Sequence, residues 1–147
     1  MLNVLMLEND ADDRYITQSE ISELGIPVRL YFDIYSSDLL KRLKEKPSLI
    51  LLSNNVMQGR NARTIIREIK SSSEWAHIPV IVLTEGIPHE HIDTLYAAGA
   101  NTVIRKPYSF DDTRKKIVSF FEYWLNVAEV GRTADGRRET ADVQGER

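Results

Sequence analysis

The chain has 147 residues, 42% of them hydrophobic, with a formal net charge of −3 and a pI of about 5.6. This length and apolar content suit one folded domain with a segment to spare and exclude a wholly disordered chain. The mildly acidic balance gives no electrostatic footprint for nucleic acid, and the lack of any cysteine excludes disulfides, thiol nucleophiles and thiolate metal sites.

The N-terminal MLNVLMLEND has no basic leader and is apolar only from Val4 to Leu7. No stretch reaches the roughly 20 apolar residues of a membrane span. The expectation is a soluble, cytoplasmic protein with neither a membrane nor a nucleic-acid partner.

Leu2 to Leu7 has the length and composition of a strand. Acidic residues follow, and Tyr15 to Leu24 carries Ile16, Ile21 and Leu24 at helical positions, with Gly25 placed as a C-cap and Pro27 beyond it. Val28 to Phe32 reads as the second strand. Ser36 or Ser37 can cap a second helix carrying Leu39, Leu40 and Leu43, which ends at Lys46 before Pro47.

Leu49 to Leu52 is an unbroken apolar run of the kind buried on both faces of a parallel sheet. After a loop holding Gly59, Ala62, Ile65, Ile66 and Ile69 fall at i, i+3, i+4 and i+7, the strongest helical signature in the chain. Ile78 to Leu83 is the fourth strand. Pro88 opens a helix that runs to Ala98 and stops at Gly99, Thr102 to Ile104 is the fifth strand, and Ser109 caps a last helix striped by Ile117, Phe120, Phe121, Trp124 and Leu125.

Strands alternating with helices in this way demand right-handed crossovers and a parallel sheet covered on both faces. The domain is expected over residues 1–128. Residues 129–147, ending in GRTADGRRETADVQGER, read as a polar, disordered or partner-dependent tail with no output domain.

In open α/β sheets ligands bind beyond the C-terminal ends of the strands. There the first strand is followed by Glu8, Asn9 and Asp10, then by Asp12 and Asp13. Clustered carboxylates suit a hard cation such as Mg²⁺, but acidic residues also stabilise the first turn of a helix through its dipole. For Asp12 and Asp13 the helix reading is preferred; for Glu8 and Asn9 both stand. The third strand ends in Ser53-Asn54-Asn55, the fourth in Thr84 and the fifth in Lys106-Pro107. Hydroxyls and a lysine at adjacent strand ends can orient a phosphate or an oxyanion, although each alone is an ordinary solvated terminus.

The stretches LMLENDADDR, PSLILLSNNVMQG, IPVIVLT and GANTVIRKP, in this order and spacing, resemble the receiver domain of two-component response regulators over roughly Met1 to Val127. The resemblance implies a flavodoxin-like (βα)5 three-layer sandwich with a five-stranded parallel sheet in the order 2-1-3-4-5. It places the Mg²⁺-binding acidic pair at Glu8 and Asn9, the phosphoacceptor at Ser53, and the phosphate-contacting hydroxyl and amine at Thr84 and Lys106. It also suggests a cis bond at Lys106-Pro107, where the cis form costs little, and puts the aromatic switch position at Val103.

The departures all touch one mechanism. A serine hydroxyl needs an adjacent base before it can act as a nucleophile, and His77, His89 and His91 all lie away from this corner in sequence. With Asn9 and Ser53 neutral, only Glu8 of the usual carboxylates remains, so Mg²⁺ binding is expected to be weak or absent and no other cofactor is implied. Val103 has no ring or hydroxyl to rotate. Lys106, deprived of its phosphoryl partner, is expected to pair with Glu8.

The expected function is therefore that of a stand-alone, non-enzymatic pseudo-receiver acting in signal transduction through protein contacts. The resemblance implies a histidine kinase or another signalling protein as partner, docking on the face of the fourth helix, fifth strand and fifth helix. That face would draw on His91, Thr94, Leu95, Tyr96, Arg105 and Tyr108, and the end of the last helix could also make a homodimer contact. Two alternatives are a phosphorelay receiver with a non-aspartate acceptor such as Ser53, and a flavodoxin-like small-ligand binder. The second is disfavoured by the acidic NDADD loop, which would repel phosphate.

Overall fold

The computed structural model describes residues 1–33, 41, 43–54 and 61–131. Five strands form a single sheet: β1 (Leu2–Leu7), β2 (Val28–Asp33), β3 (Leu49–Ser53), β4 (Val80–Thr84) and β5 (Thr102–Arg105). All are parallel and lie in the order β2-β1-β3-β4-β5, the flavodoxin-like order expected from the sequence. Four helices have both ends within the described residues: α1 (Ala11–Leu24), α2 (Ala62–Lys70), α3 (His89–Ala98) and α4 (Phe110–Asn126). The expected helix between β2 and β3 is seen only at Lys41 and the fully buried Leu43; its Ser36 or Ser37 cap and Leu39 and Leu40 lie outside the described residues. Thus α3 and α4 are the fourth and fifth helices of the sequence reading.

The twofold alternation of strand side chains divides the core in two. Leu5, Leu7, Ile50, Leu52, Val80 and Val82 point to one face, where α2, α3 and Leu43 cover them. Val4, Met6, Leu49, Leu51 and Ile81 point to the other, under Ile21 of α1 and Phe121 of α4. The central strands are apolar at every position because each face has its own helical layer.

Local chemistry sets most helix ends. Asp10 caps α1, its Oδ1 accepting from the backbone N–H of Asp12 at 2.8 Å and of Asp13 at 3.2 Å, so the helix starts one turn before the apolar period that begins near Tyr15. Gly25 ends it in the left-handed conformation, φ 64°, which costs glycine little. Ser109 caps α4 by accepting from Asp112 N–H at 3.1 Å. Gly99 after α3 has φ 120°, and a Cβ there would stand 2.9 Å from Cγ of Lys70, so α2 approaches this turn too closely for any side chain.

Strand β4 begins at Val80, two residues later than the sequence suggests. Pro79 has no N–H to donate to a ladder, although Ile78 before it is still buried. After α4, Val130 packs against the second core cluster and the backbone of Gly131 lies against His77. Residues 132–147 of the expected tail are outside the described residues. Among the described residues no helix is long and apolar enough to cross a membrane.

Candidate functional site

The C-terminal ends of β1, β3, β4 and β5 converge on one corner. Glu8 leaves β1 fully buried, its backbone N–H tied to Asp33 O at 3.2 Å. A charged carboxylate removed from water must be matched by donors, and here both oxygens are. Oε2 accepts from Asp10 N–H at 3.1 Å, and Oε1 accepts from Lys106 Nζ at 2.9 Å.

Lys106 follows β5, its backbone N–H donating to Thr84 O at 2.7 Å. Its ammonium also donates to Oδ2 of Asp13 at 2.7 Å and lies 3.6 Å from Oε2 of Glu85. Burial by itself would lower the lysine pKa, but the hydrogen bonds and charges of Asp13 and Glu8 outweigh it and raise the pKa above the ordinary value. Lys106 is thus held as a cation among three carboxylates.

The pairing with Glu8 is the one the sequence suggests; that with Asp13 is not. Asp13 was expected only to stabilise the start of α1, but its side chain reaches across to β5. The two residues are 93 apart in sequence, and no local pattern distinguishes Asp13 from Asp12. Asp10, second of the acidic residues, turns outward as the helix cap.

Ser53 ends β3 almost completely buried, and Thr84 ends β4 equally buried, its Oγ1 without a hydrogen-bond partner among the described residues. Ser53 lies opposite Leu83, and Asn54 N–H donates to Leu83 O at 2.8 Å. Asn9 is exposed, and Asn55 is outside the described residues. The corner therefore unites Glu8, Ser53, Thr84 and Lys106, with Asn9 at its surface.

The donors present do not fit Mg²⁺. That ion is held by carboxylates and dehydrates reluctantly, yet both oxygens of Glu8 are already engaged and an ammonium sits 2.9 Å from one of them. Among the described residues no group of three carboxylate or imidazole side chains is arranged to hold a metal.

Two further expectations need correction. The Lys106-Pro107 bond is trans, since no described peptide bond is cis. Leu95 is buried in the core, 3% exposed, because the apolar stripe of α3 turns it toward the sheet, so it cannot belong to a docking surface. His91, Tyr96, Arg105 and Tyr108 are exposed and Thr94 is half-buried. Tyr96 Oη accepts from Val103 N–H of the edge strand at 3.1 Å, and Arg105 donates to Ile87 O at 2.9 Å.

A five-stranded parallel sheet in this order with helices on both faces is a flavodoxin-like fold. Comparison with known proteins points the same way. No protein-family model matches the chain. In sequence it is similar to the probable methanogenesis regulatory protein FilR2 of Methanothrix harundinacea, 29% identical over 79 residues, covering 54% of this chain and 50% of that protein. It is also similar to the response regulator Rcp1 of Synechocystis sp., 29% identical over 82 residues, covering 56% of this chain and 55% of that one.

The chain thus spans about half the length of the curated relatives it matches first. In structure it is similar to the response regulator RPA3017 of R. palustris, with a TM-score of 0.80 and 23% identity over 90% of this chain and 100% of that one. The structural likeness establishes the fold. The relatives' names add support for a receiver domain of the response-regulator kind.

Proposed function

We propose that the chain is a receiver-like signalling module that works through protein contacts, without phosphoryl transfer and without catalysis of its own. The observation that carries this reading is the state of the corner. A buried serine occupies the acceptor position, while the lysine that would meet a phosphoryl group is bound to Glu8 at 2.9 Å and to Asp13 at 2.7 Å. A serine hydroxyl needs a neighbouring base. Lys106, at the end of β5, is held protonated by its carboxylate partners. With the acceptor and the metal donors both altered, the retained framework serves to present a surface. The exposed residues His91, Tyr96, Arg105 and Tyr108 on α3, β5 and the loop after it are the docking residues of this reading, with a kinase or another signalling protein as partner.

The test is intact mass after incubation with a small phosphodonor and Mg²⁺, joined to an amide NMR titration with Mg²⁺ and then beryllofluoride. The expected result is no phosphoryl adduct and no saturable shift at Glu8, Ser53, Thr84 or Lys106. An adduct on the wild-type chain overturns the proposal. The double variant Asn9→Asp with Ser53→Asp is expected to acquire Mg²⁺ binding, seen as saturable shifts at the same residues. If it does not, the assignment of this corner is wrong.

A further inference from the structure

Between α1 and α4, on the sheet face they share, lies a cavity of about 360 Å³. Its floor is Met6, Leu51, Leu83 and Ile104 of the sheet. One wall is Ile16 and Thr17 of α1, the other Thr113, Ile117 and Phe120 of α4, and Asp13 and Lys106 stand at the end nearest the corner described above. A cavity of about 150 Å³ holds a benzene ring, so this one has room for roughly fourteen non-hydrogen atoms. It also exceeds the lower limit of about 300 Å³ typical of ligand pockets.

The half-buried state of Leu83 and Ile104 has the same origin. Apolar residues on a sheet face are normally covered by a helix, on the inner strand β4 as on the edge strand β5, and here the helices stand apart and leave apolar surface facing the cavity.

The rim adds a charge preference. Lys116 lines the cavity, as does β5 at Arg105. The Arg105 guanidinium turns to Ile87 O on the opposite face at 2.9 Å, while the Lys116 ammonium donates to the backbone carbonyl of Arg105 at 2.7 Å. Among the described residues Lys116 has no carboxylate within ion-pair distance, whereas the charge of Lys106 is answered by Glu8 and Asp13. An apolar chamber with the ammonium of Lys116 at its mouth selects an apolar body carrying an anion.

The chain's own C-terminal segment is a poor occupant. Residues 132–147 contain no Leu, Ile, Met or aromatic residue. They also depart from Gly131, which lies against His77 ahead of β4, at the opposite end of the sheet from Lys106.

We propose that this cavity binds a small, flat, apolar carboxylic acid, its rings on Leu83 and Ile104 and its carboxylate on the ammonium of Lys116. The site is independent of the phosphorylation question, and its test needs neither phosphodonor nor metal.

The experiment is a methyl NMR titration of the full chain with naphthalene-2-carboxylate, a molecule of roughly the permitted size, and in parallel with naphthalene-2-carboxamide. Saturable shifts are expected at Ile16, Leu51, Leu83, Ile104 and Ile117. The carboxylate should bind about tenfold more tightly than the amide, the worth of one charge-assisted hydrogen bond. Lys116→Met, which leaves the chamber intact, should bring the carboxylate down to the amide's affinity. Ile104→Phe, which fills the chamber, should abolish both sets of shifts in a protein whose spectrum remains dispersed.

Three results would each overturn the proposal. One is the absence of saturable shifts, another is equal affinity for the acid and the amide. The third is a set of shifts that tracks dimerisation in sedimentation velocity, since the cavity would then belong to an interface between copies.

Discussion

The two faces of the sheet are held by different forces. On the face under α2 and α3, Ala62, Ile65, Ile66 and Ile69 present one continuous apolar stripe and are buried in one cluster with Leu52 and Val82. On the face under α1 and α4, α1 buries only Glu20 and Ile21, and Ile117 and Phe120 of α4 are only half covered. Ionic ties stand at either end of that gap. Lys106 joins β5 to Asp13 of α1, and Arg114 of α4 lies 3.0 Å from Glu20 and 3.4 Å from Glu23 of α1. The contact with buried Glu20 is an ion pair too bent to be a hydrogen bond, since its Oε1 has no hydrogen-bond partner. One face is a framework; the other is a loosely filled layer pinned by charge, and it carries both the corner and the cavity.

Cutting into each face should give the largest difference. Ile66→Ala removes a fully buried side chain from a close-packed layer and is expected to cost about 3–4 kcal/mol in urea denaturation. Ile117→Ala, beside existing empty space, should cost about 1 kcal/mol, because its loss creates little new cavity. Equal costs would mean that the second layer closes in solution.

Next in size are the ionic ties. Glu8→Gln leaves Lys106 with fewer counter-charges in a buried site and should cost about 2 kcal/mol. Glu20→Gln faces the half-exposed Arg114 and should cost about 1 kcal/mol. If both prove neutral, charge does not hold this face.

The smallest effect is on pH. The pKa of Lys106 is raised on folding, so its stabilising contribution is complete below the unfolded-state lysine value and is lost as pH rises through the higher folded one. Lys70, whose pKa burial lowers, contributes with the opposite sign. The wild-type minus Lys106→Met difference isolates the first of these. It should be flat from neutral pH to about 10, near the ordinary lysine pKa, and shrink above it. A difference that grows with alkalinity would show that Lys106 is not the cationic tie described here.

The framework face was readable from sequence because its signals are local. The i, i+3, i+4, i+7 spacing in α2 and the unbroken runs of β3 and β4 each name their own structure, and Gly25, Gly99 and Ser109 mark ends through backbone chemistry that needs no distant partner. The pinned face was harder. The first turn of α1 is Ala11, Asp12, Asp13 and Arg14, which has no apolar period. Its start is set by the Asp10 cap, and its place by the sheet it crosses. The family resemblance points to Glu8, Ser53, Thr84 and Lys106, and these stand at the ends of β1, β3, β4 and β5.

By itself, the sequence determined the order and kind of the elements, the twofold and helical periods that sort residues into two layers, and the absence of a carboxylate at the end of β3. All of these depend on residue type and near neighbours. Only the tertiary structure decided that Asp13 joins Glu8 in answering Lys106, that Leu95 faces the core, and that α1 and α4 leave a chamber between them. Each of those depends on the distance between elements far apart along the chain, and that distance is set by how whole layers pack.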